Sequence, residues 1–376
     1  MELRRVAALV LASAAFACTP SPMPTTGSPE PTVSGSLGQP AGPGARGVLD
    51  QSSTTPALEF RSTGTKLIWS SGARGDPSAD VAPDLFAARP GEPASLLYDN
   101  PNRDSRLEYI DGVGDQVAFM ERNDGAFGSG VWKLWYLAGN HDAPMLIDSG
   151  GGEQLPFFGI SERYLVWTVM TGRPLVSELR SIDLRTMARR IVAFDEATQT
   201  QYWFPDLDGS RLVYGTVERS PDLATDERHV FFVDLDGDGT PRRLDQSTSA
   251  SEPAIHGDTV VWKESDPELN FLVAGSLVRY SLVTSQRETL RLPAPEGTGF
   301  TDPSIGSRFV AAWPETDRML YVADLQSGLY PAILDLGPAA TDPHDAVGRA
   351  DIAGDLLAYI FSPAGGDLEL RWVQLR

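Results

Sequence analysis

The sequence predicts an all-β chain, a seven-bladed β-propeller of four-stranded blades. Three observations carry that reading. From residue 57 onward one phrase recurs every 47–50 residues: apolar strand, Gly or Asp-Gly turn, apolar strand ending in an aromatic, variable loop, third strand, tight turn, fourth strand. Thirty-six Gly and 29 Pro among 376 residues favour many turns over long helices. Many of the strands are apolar nearly throughout, which calls for burial on both faces. A blade between two neighbours meets that condition, whereas a β-sandwich would alternate more cleanly.

Residues 1–17 read as an export signal. Arg4 and Arg5 precede an apolar run, Val6 to Phe16, that is too short to span a bilayer. Small residues then lead to Cys18, the sole cysteine. Ala15-Phe16-Ala17-Cys18 is an imperfect match to a bacterial lipobox, whose cysteine is acylated and becomes the new N-terminus. Ala-Phe-Ala also fits ordinary cleavage, with Cys18 incidental. The position of a sole cysteine there favours lipidation. The body then holds no disulfide, and no later apolar run is long enough to cross a membrane. Residues 18–45 are rich in Pro, Ser, Thr and Gly and almost without apolar content. They cannot bury enough surface to offset ordering entropy and are expected to form a flexible tether.

Residues 46–376 form the repeat. Its second strands carry Trp69, Phe119, Trp167, Tyr214, Trp262, Ala311 and Tyr359 at the corresponding position, with Trp313 on the same face as Ala311. Third strands close on Leu137, Leu184, Leu235, Leu282, Leu325 and Leu375. First strands run ALEFRS, RLEYID, LPFFGI, WFPDLD, EPAIHG, DPSIGS and RADIAG. The seventh copy has only three strands before Arg376. A fourth is needed, because an open blade edge leaves backbone groups unpaired. RGVLDQSSTTPAL (46–58) echoes RLDQSTSASEPAI (243–255), and Leu49 and Leu244 lie 195 residues apart, four repeats. Residues 46–52 are therefore expected to close the ring as the fourth strand of blade seven.

PDLDGSRLVYG (205–215), EPAIHGDTVVW (252–262) and VFFVDLDGDGTPRRL (230–244) resemble the repeat of the TolB-like propellers of secreted and periplasmic bacterial proteins. In that family a Ser-Pro-Asp-Gly turn leads into an apolar strand, and a strand ending Asp-Leu leads to a Gly turn and Arg-Arg-Leu. The resemblance implies the fold and an exported location, in the periplasm or on the outer surface. No copy here carries the full Ser-Pro-Asp-Gly, and TolB's separate N-terminal domain has no counterpart. The resemblance does not extend to TolB's own lipoprotein partner, because fold alone does not confer function.

A net charge of −20 repels phosphates, so nucleic acid is not an expected partner. It also repels anionic membrane surfaces, leaving a lipid anchor as the expected membrane contact. HExxH, GxSxG, Walker and GxGxxG patterns are absent, and the body offers no thiol nucleophile. Propeller topology sends the second-to-third and inter-blade loops to one face. These are long and varied (71–83, 121–130, 170–177, 217–228, 264–275, 293–300, 338–349), and binding favours loops that vary over a rigid scaffold. Phe127 and Phe271 are the candidate exposed anchors there. His229 and His344 lie in or beside the same loops. Trp132, Trp135, Tyr136, Tyr202 and Trp203 fit inter-blade core better than a binding platform.

DLDGDGTPRRLD (234–245) places Asp234, Asp236, Asp238 and Asp245 at positions 1, 3, 5 and 12 of an EF-hand-like loop with Gly239 at 6. A structural calcium is one reading, and a plain Asp-Gly hairpin turn is the other. The leading functional reading is a monomeric envelope binding or scaffold module without a cofactor, recognising a protein or glycan through the long-loop face. The alternative is a polysaccharide lyase or hydrolase with a metal-dependent site at the channel mouth. A histidine clustered there with two or more carboxylates would favour the enzyme.

Overall fold

The chain separates into two units, Met1–Gln39 and Pro40–Arg376. The computed structural model describes residues 46–375 of the second, apart from 49–56, 72–83, 103–104, 124–129, 140–142, 152–155, 172–175, 196–199, 219–225, 266–274, 291, 293–298, 315–318, 329–331, 336–349 and 362–368. Cys18, residues 49–52 of the expected closing strand, Phe127, Phe271 and His344 fall outside these residues. Among the described residues no helix is long and apolar enough to cross a membrane.

Seven antiparallel sheets of four strands make up the described residues. Blade 1 comprises β2–β5 (Ala57–Ser62, Leu67–Ser71, Leu85–Ala88, Ser95–Tyr98) and blade 2 comprises β6–β9 (Ser105–Val113, Gln116–Asn123, Val131–Leu137, Met145–Gly151). Blade 3 is β10–β13 (Phe158–Ile160, Tyr164–Thr171, Val176–Asp183, Arg189–Asp195), and blade 4 is β14–β17 (Gln201–Asp208, Arg211–Glu218, Glu227–Asp234, Arg242–Arg243). Blade 5 is β18–β21 (Ala250–His256, Thr259–Glu264, Ser276–Ser281, Arg287–Leu290) and blade 6 is β22–β25 (Phe300–Ile305, Phe309–Pro314, Met319–Asp324, Ala332–Asp335). Blade 7 joins β26–β28 (Ala350–Ala353, Leu356–Phe361, Glu369–Gln374) to β1 (Arg46–Val48) at its outer edge.

The register of β1 reproduces that of β17. Gly47 faces Trp372 in blade 7, and Arg242 faces Phe232 in blade 4. Trp372 and Phe232 each stand three residues before the leucine that closes the third strand, Leu375 or Leu235. Gly47 and Arg242 therefore hold the same place, and they are 195 residues apart.

Burial on both faces follows from the ring. Second strands such as Gln116–Asn123 and Arg211–Glu218 are buried through their centres. A buried apolar cluster fills each of the seven junctions. Blade 7 meets blade 1 in the same manner, with Trp372, Ile360 and Leu370 against Phe60, Leu67 and Trp69. At roughly 1.5–3 kcal/mol per fully buried large side chain, these junctions are the main source of cohesion.

One position is corrected by the pairing. In blade 4 Val213 faces Asp206 and Tyr214 follows; in blade 6 Ala311 faces Ser304 and Ala312 follows. The residue in the aromatic place of the sixth copy is therefore Ala312, not Ala311. The space is taken by Tyr321, directly across from Ala312, and by Phe300, whose rings meet edge to face at 5.9 Å.

Candidate functional site: the central channel

The first strand of every blade lines one axial cavity of about 450 Å³. Alternate residues of a strand point the same way, so the lining falls into tiers two residues apart. The first strands enter from the inter-blade loops, so their N-terminal ends mark the long-loop end of the channel. Their C-terminal ends reach the short turns.

The waist is formed by Arg61, Asp111, Gly159, Asp206, Ala254, Ser304 and Asp351, one from each blade. The carboxylates bridge blades. Asp111 accepts the Ile160 N–H of blade 3 at 2.9 Å, and Asp206 accepts the Ile255 N–H of blade 5 at 2.7 Å. Asp351 accepts the Ser62 N–H of blade 1 at 2.6 Å. The Ser304 hydroxyl accepts the Ile352 N–H at 2.9 Å and donates to Asp351 at 3.1 Å. Arg61 Nε stands 4.0 Å from Asp111 Oδ1. Burial opposes the Arg61 charge, but Asp351 and Asp111 more than offset this, so the guanidinium is held above its ordinary range.

Burial pushes the Asp111 carboxyl up to about 6 against the pull of Arg61. It pushes Asp206 up to about 7, with Asp111 and Asp351 adding to the effect. Both are enclosed by the ring, although 24% of the Asp111 side chain is open to the lumen. Their protonation is therefore a property of a narrow acidic channel, in which like charges and low polarisability favour the neutral form.

The mouth tier, toward the long loops, is unlike the waist. Tyr109, Phe204, Glu252 and Asp302 each adopt a left-handed backbone, with φ of 48°, 48°, 54° and 46°. Each sits at or beside a bulge where the first strand slips against the second. Bulges of this kind re-aim side chains, here into the lumen. The result is two arcs. Tyr109, Phe157 and Phe204 from blades 2 to 4 form an aromatic arc, Phe157 standing 5.8 Å from Tyr109 and 4.7 Å from Phe204 between ring centres. Trp203 extends it at 5.1 Å from Phe157.

Glu252 and Asp302 from blades 5 and 6 form an acidic arc. Glu252 is tied to the fully buried Lys263 and accepts the Asp302 N–H at 2.9 Å and the Thr301 hydroxyl at 3.2 Å. Burial and the Asp302 charge raise its carboxyl, while Lys263 pulls the other way. Asp302 itself is exposed.

The residues singled out from sequence are distributed otherwise. His229 is buried in blade 4, outside the channel lining. Asp245 is not brought to Asp234, Asp236 and Asp238. Asp234 accepts the Ser210 hydroxyl at 2.8 Å, and Asp236 receives the Tyr164 hydroxyl and Arg163, both at 2.6 Å. Asp238 accepts the Thr240 N–H at 2.9 Å. In an EF-hand the twelfth residue returns to the first. Here β17 runs back along β16 and carries Asp245 away from the turn, where it accepts the Val230 N–H at 2.9 Å.

Trp132, Tyr136 and Tyr202 are buried core, whereas half-buried Trp203 packs behind the mouth against Phe157 and Phe204. The one histidine among the described lining residues, His256, stands at the short-turn end. The waist acids had a signal that sequence reading passed over: Asp111, Asp206 and Asp351 each precede the second-strand aromatic by eight residues.

No protein-family profile matches the chain, and no curated protein does. Solved structures resemble it in fold. An oligogalacturonate lyase in complex with manganese superimposes with a TM-score of 0.54 at 12% identity, over 89% of this chain and 98% of that one. The β-propeller domain of the Trilobed protease from Pyrococcus furiosus, described as having an open velcro topology, gives 0.56 at 13% identity over 85% and 95%. TolB from Acinetobacter baumannii gives 0.46 at 13% identity over 71% and 63%, too loose a superposition to argue from.

Proposed function

We propose that this chain is an exported binding module of the cell envelope that recognises a basic protein segment at the long-loop end of its channel. One observation carries the reading: four non-glycine residues from four blades are held left-handed at that end, and these two aromatic and two acidic residues all line the lumen. Such backbone strain costs on the order of 1–3 kcal/mol per residue and collects at functional sites. Glycine would adopt the same conformation freely. An aromatic arc facing an acidic one suits a side chain that is both apolar and cationic, by stacking, cation–π attraction and charge. A net charge of −20 steers such a ligand inward.

Export rests on residues 1–17, and anchoring on Cys18 with the 18–45 tether. Cys18→Ser is expected to move the protein from the membrane fraction to the soluble one. Recognition is tested by probing an array of Lys- and Arg-rich peptides beside a glycan array. Wild type is expected to capture basic peptides, and Phe204→Ala or Asp302→Asn to weaken capture about tenfold. Capture of glycans alone, or variants equal to wild type, overturns the reading.

A polysaccharide lyase or hydrolase is the second reading, favoured by Asp111 and Asp206. Carboxyls at about 6 and about 7 are placed for proton transfer near neutral pH. Against a uronate substrate stands the charge of the channel, which repels polyanions. Incubation with oligogalacturonate and neutral glycans, with or without Mn²⁺, decides between the two: unsaturated product marks a lyase, new saturated reducing ends a hydrolase, and neither leaves the binding module.

A further inference from the structure

The ends of β15 and β16 hold a group of side chains that neither the channel nor the junctions use. Glu218 and Glu227 face each other directly across the ladder. Like charges in that position are destabilising unless something lies between them. His229 lies two residues from Glu227 on the same face, is 2% exposed, and holds Nε2 3.4 Å from a Glu227 carboxylate oxygen. One ligand atom from each of Glu218, Glu227 and His229 lies within 4.8 Å of the others.

The far side of the imidazole is fixed. Nδ1 stands 3.2 Å from Oδ1 of buried Asp245 and 3.0 Å from the Ser247 carbonyl oxygen. Both partners are acceptors, so the proton of a neutral ring belongs on Nδ1 and the Nε2 lone pair faces the two carboxylates. A carboxylate behind a histidine in this way orients the ring and raises its basicity as a ligand. A second observation points the same way. Thr216, directly across from His229 and on the face of Glu218, keeps a buried hydroxyl with no hydrogen-bond partner.

We propose that Glu218, Glu227 and His229 bind one divalent cation of the zinc or manganese class, with Asp245 as the positioning residue behind His229. One nitrogen and two carboxylates suit a borderline metal; calcium and magnesium favour all-oxygen sets. The cation replaces a cross-strand repulsion with a staple between the strands that lead into the 219–225 segment.

The test is calorimetric titration of Zn²⁺, Mn²⁺ and Mg²⁺ into the full chain after chelation. Zn²⁺ is expected to bind one per chain, Mn²⁺ more weakly, and Mg²⁺ to give no heat. The double variant Glu218→Gln/Glu227→Gln should weaken Zn²⁺ by about 100-fold or more. Its sites lie near the surface, with 56% of the Glu227 side chain exposed, so it is expected to fold. In chelator it should melt at or above wild type, because the like-charge pair is gone, while Asp236→Asn/Asp238→Asn should keep wild-type Zn²⁺ binding. Absence of Zn²⁺ binding in wild type, equal binding in the double variant, or a double variant that melts well below wild type in chelator overturns the proposal.

Discussion

Blades 3 and 4 present the same waist position to the channel and treat it in opposite ways. At Gly159 a β-carbon would lie 2.6 Å from the Pro205 carbonyl oxygen of blade 4, so the backbones have closed up until only glycine fits. At Asp206, one repeat later, the gap is wide enough for a carboxylate to reach across to Ile255. Other junctions lie along the same scale. Ala254 is too short to bridge, and Glu252, two residues earlier, takes over the contact with Asp302 one tier higher. Arg61 meets Asp111 by charge. The repeat therefore conserves a spacing problem more than a residue. Each junction answers it with a close approach, a hydrogen-bonded bridge or an ion pair.

This contrast is best strained where the ring is assembled from both ends of the chain. Removing residues 46–48 strips β1 from β28 and leaves that edge unpaired beside the junction that Asp351 bridges. The largest loss of thermal and urea stability is expected here. Removing 19–45, a segment with almost no apolar side chains, should leave the midpoint in place. Equal stability of the two truncations would mean that blade 7 stands without its fourth strand. Gly159→Ala comes next. The obstacle is backbone, which cannot swing aside as a side chain could, so blades 3 and 4 must part. A loss of about 1–3 kcal/mol in urea unfolding is expected, and a neutral result would show that the junction has slack.

The strand count was legible because every blade repeats a buried second strand, with an aromatic at the same place in six of the seven. The place of residues 46–48 was legible because the 195-residue echo is also an echo of register. The channel was much harder to read. Its mouth depends on left-handed residues at bulges, and neither Tyr109 nor Glu252 belongs to a type that announces that conformation. The bulge also brings Phe204 to the lumen, and Trp203, expected in the core, packs behind it and Phe157. In blade 6 two adjacent alanines stand mid-strand, and only the pairing of Ser304 with Ala311 shows that Ala312 holds the aromatic place. The place of Asp245 was equally hidden, because spacing along the acidic turn does not show the antiparallel return that carries Asp245 to His229.

The smallest expected effect is also the most specific to a bridged junction. Burial holds Asp206 at about 7 and Asp111 at about 6, both above the ordinary aspartate range. Between about pH 4 and those values the folded chain binds more protons than the unfolded one, so stability falls as pH rises. The contribution is fully present near the unfolded pKa and is lost as pH passes through 6 and 7. Asp206→Asn keeps one acceptor oxygen for Ile255 and removes the titration. Near pH 5, where wild-type Asp206 is mostly protonated, the variant should melt close to wild type. As pH rises toward about 8 the difference should shift in the variant's favour by about 1 kcal/mol or more, because only wild type then buries an uncompensated charge. Groups shared by both proteins, His229 among them, cancel in the comparison. A melting difference that stays constant from about pH 5 to pH 8 would show that Asp206 titrates alike folded and unfolded, and that its bridge carries no charge penalty.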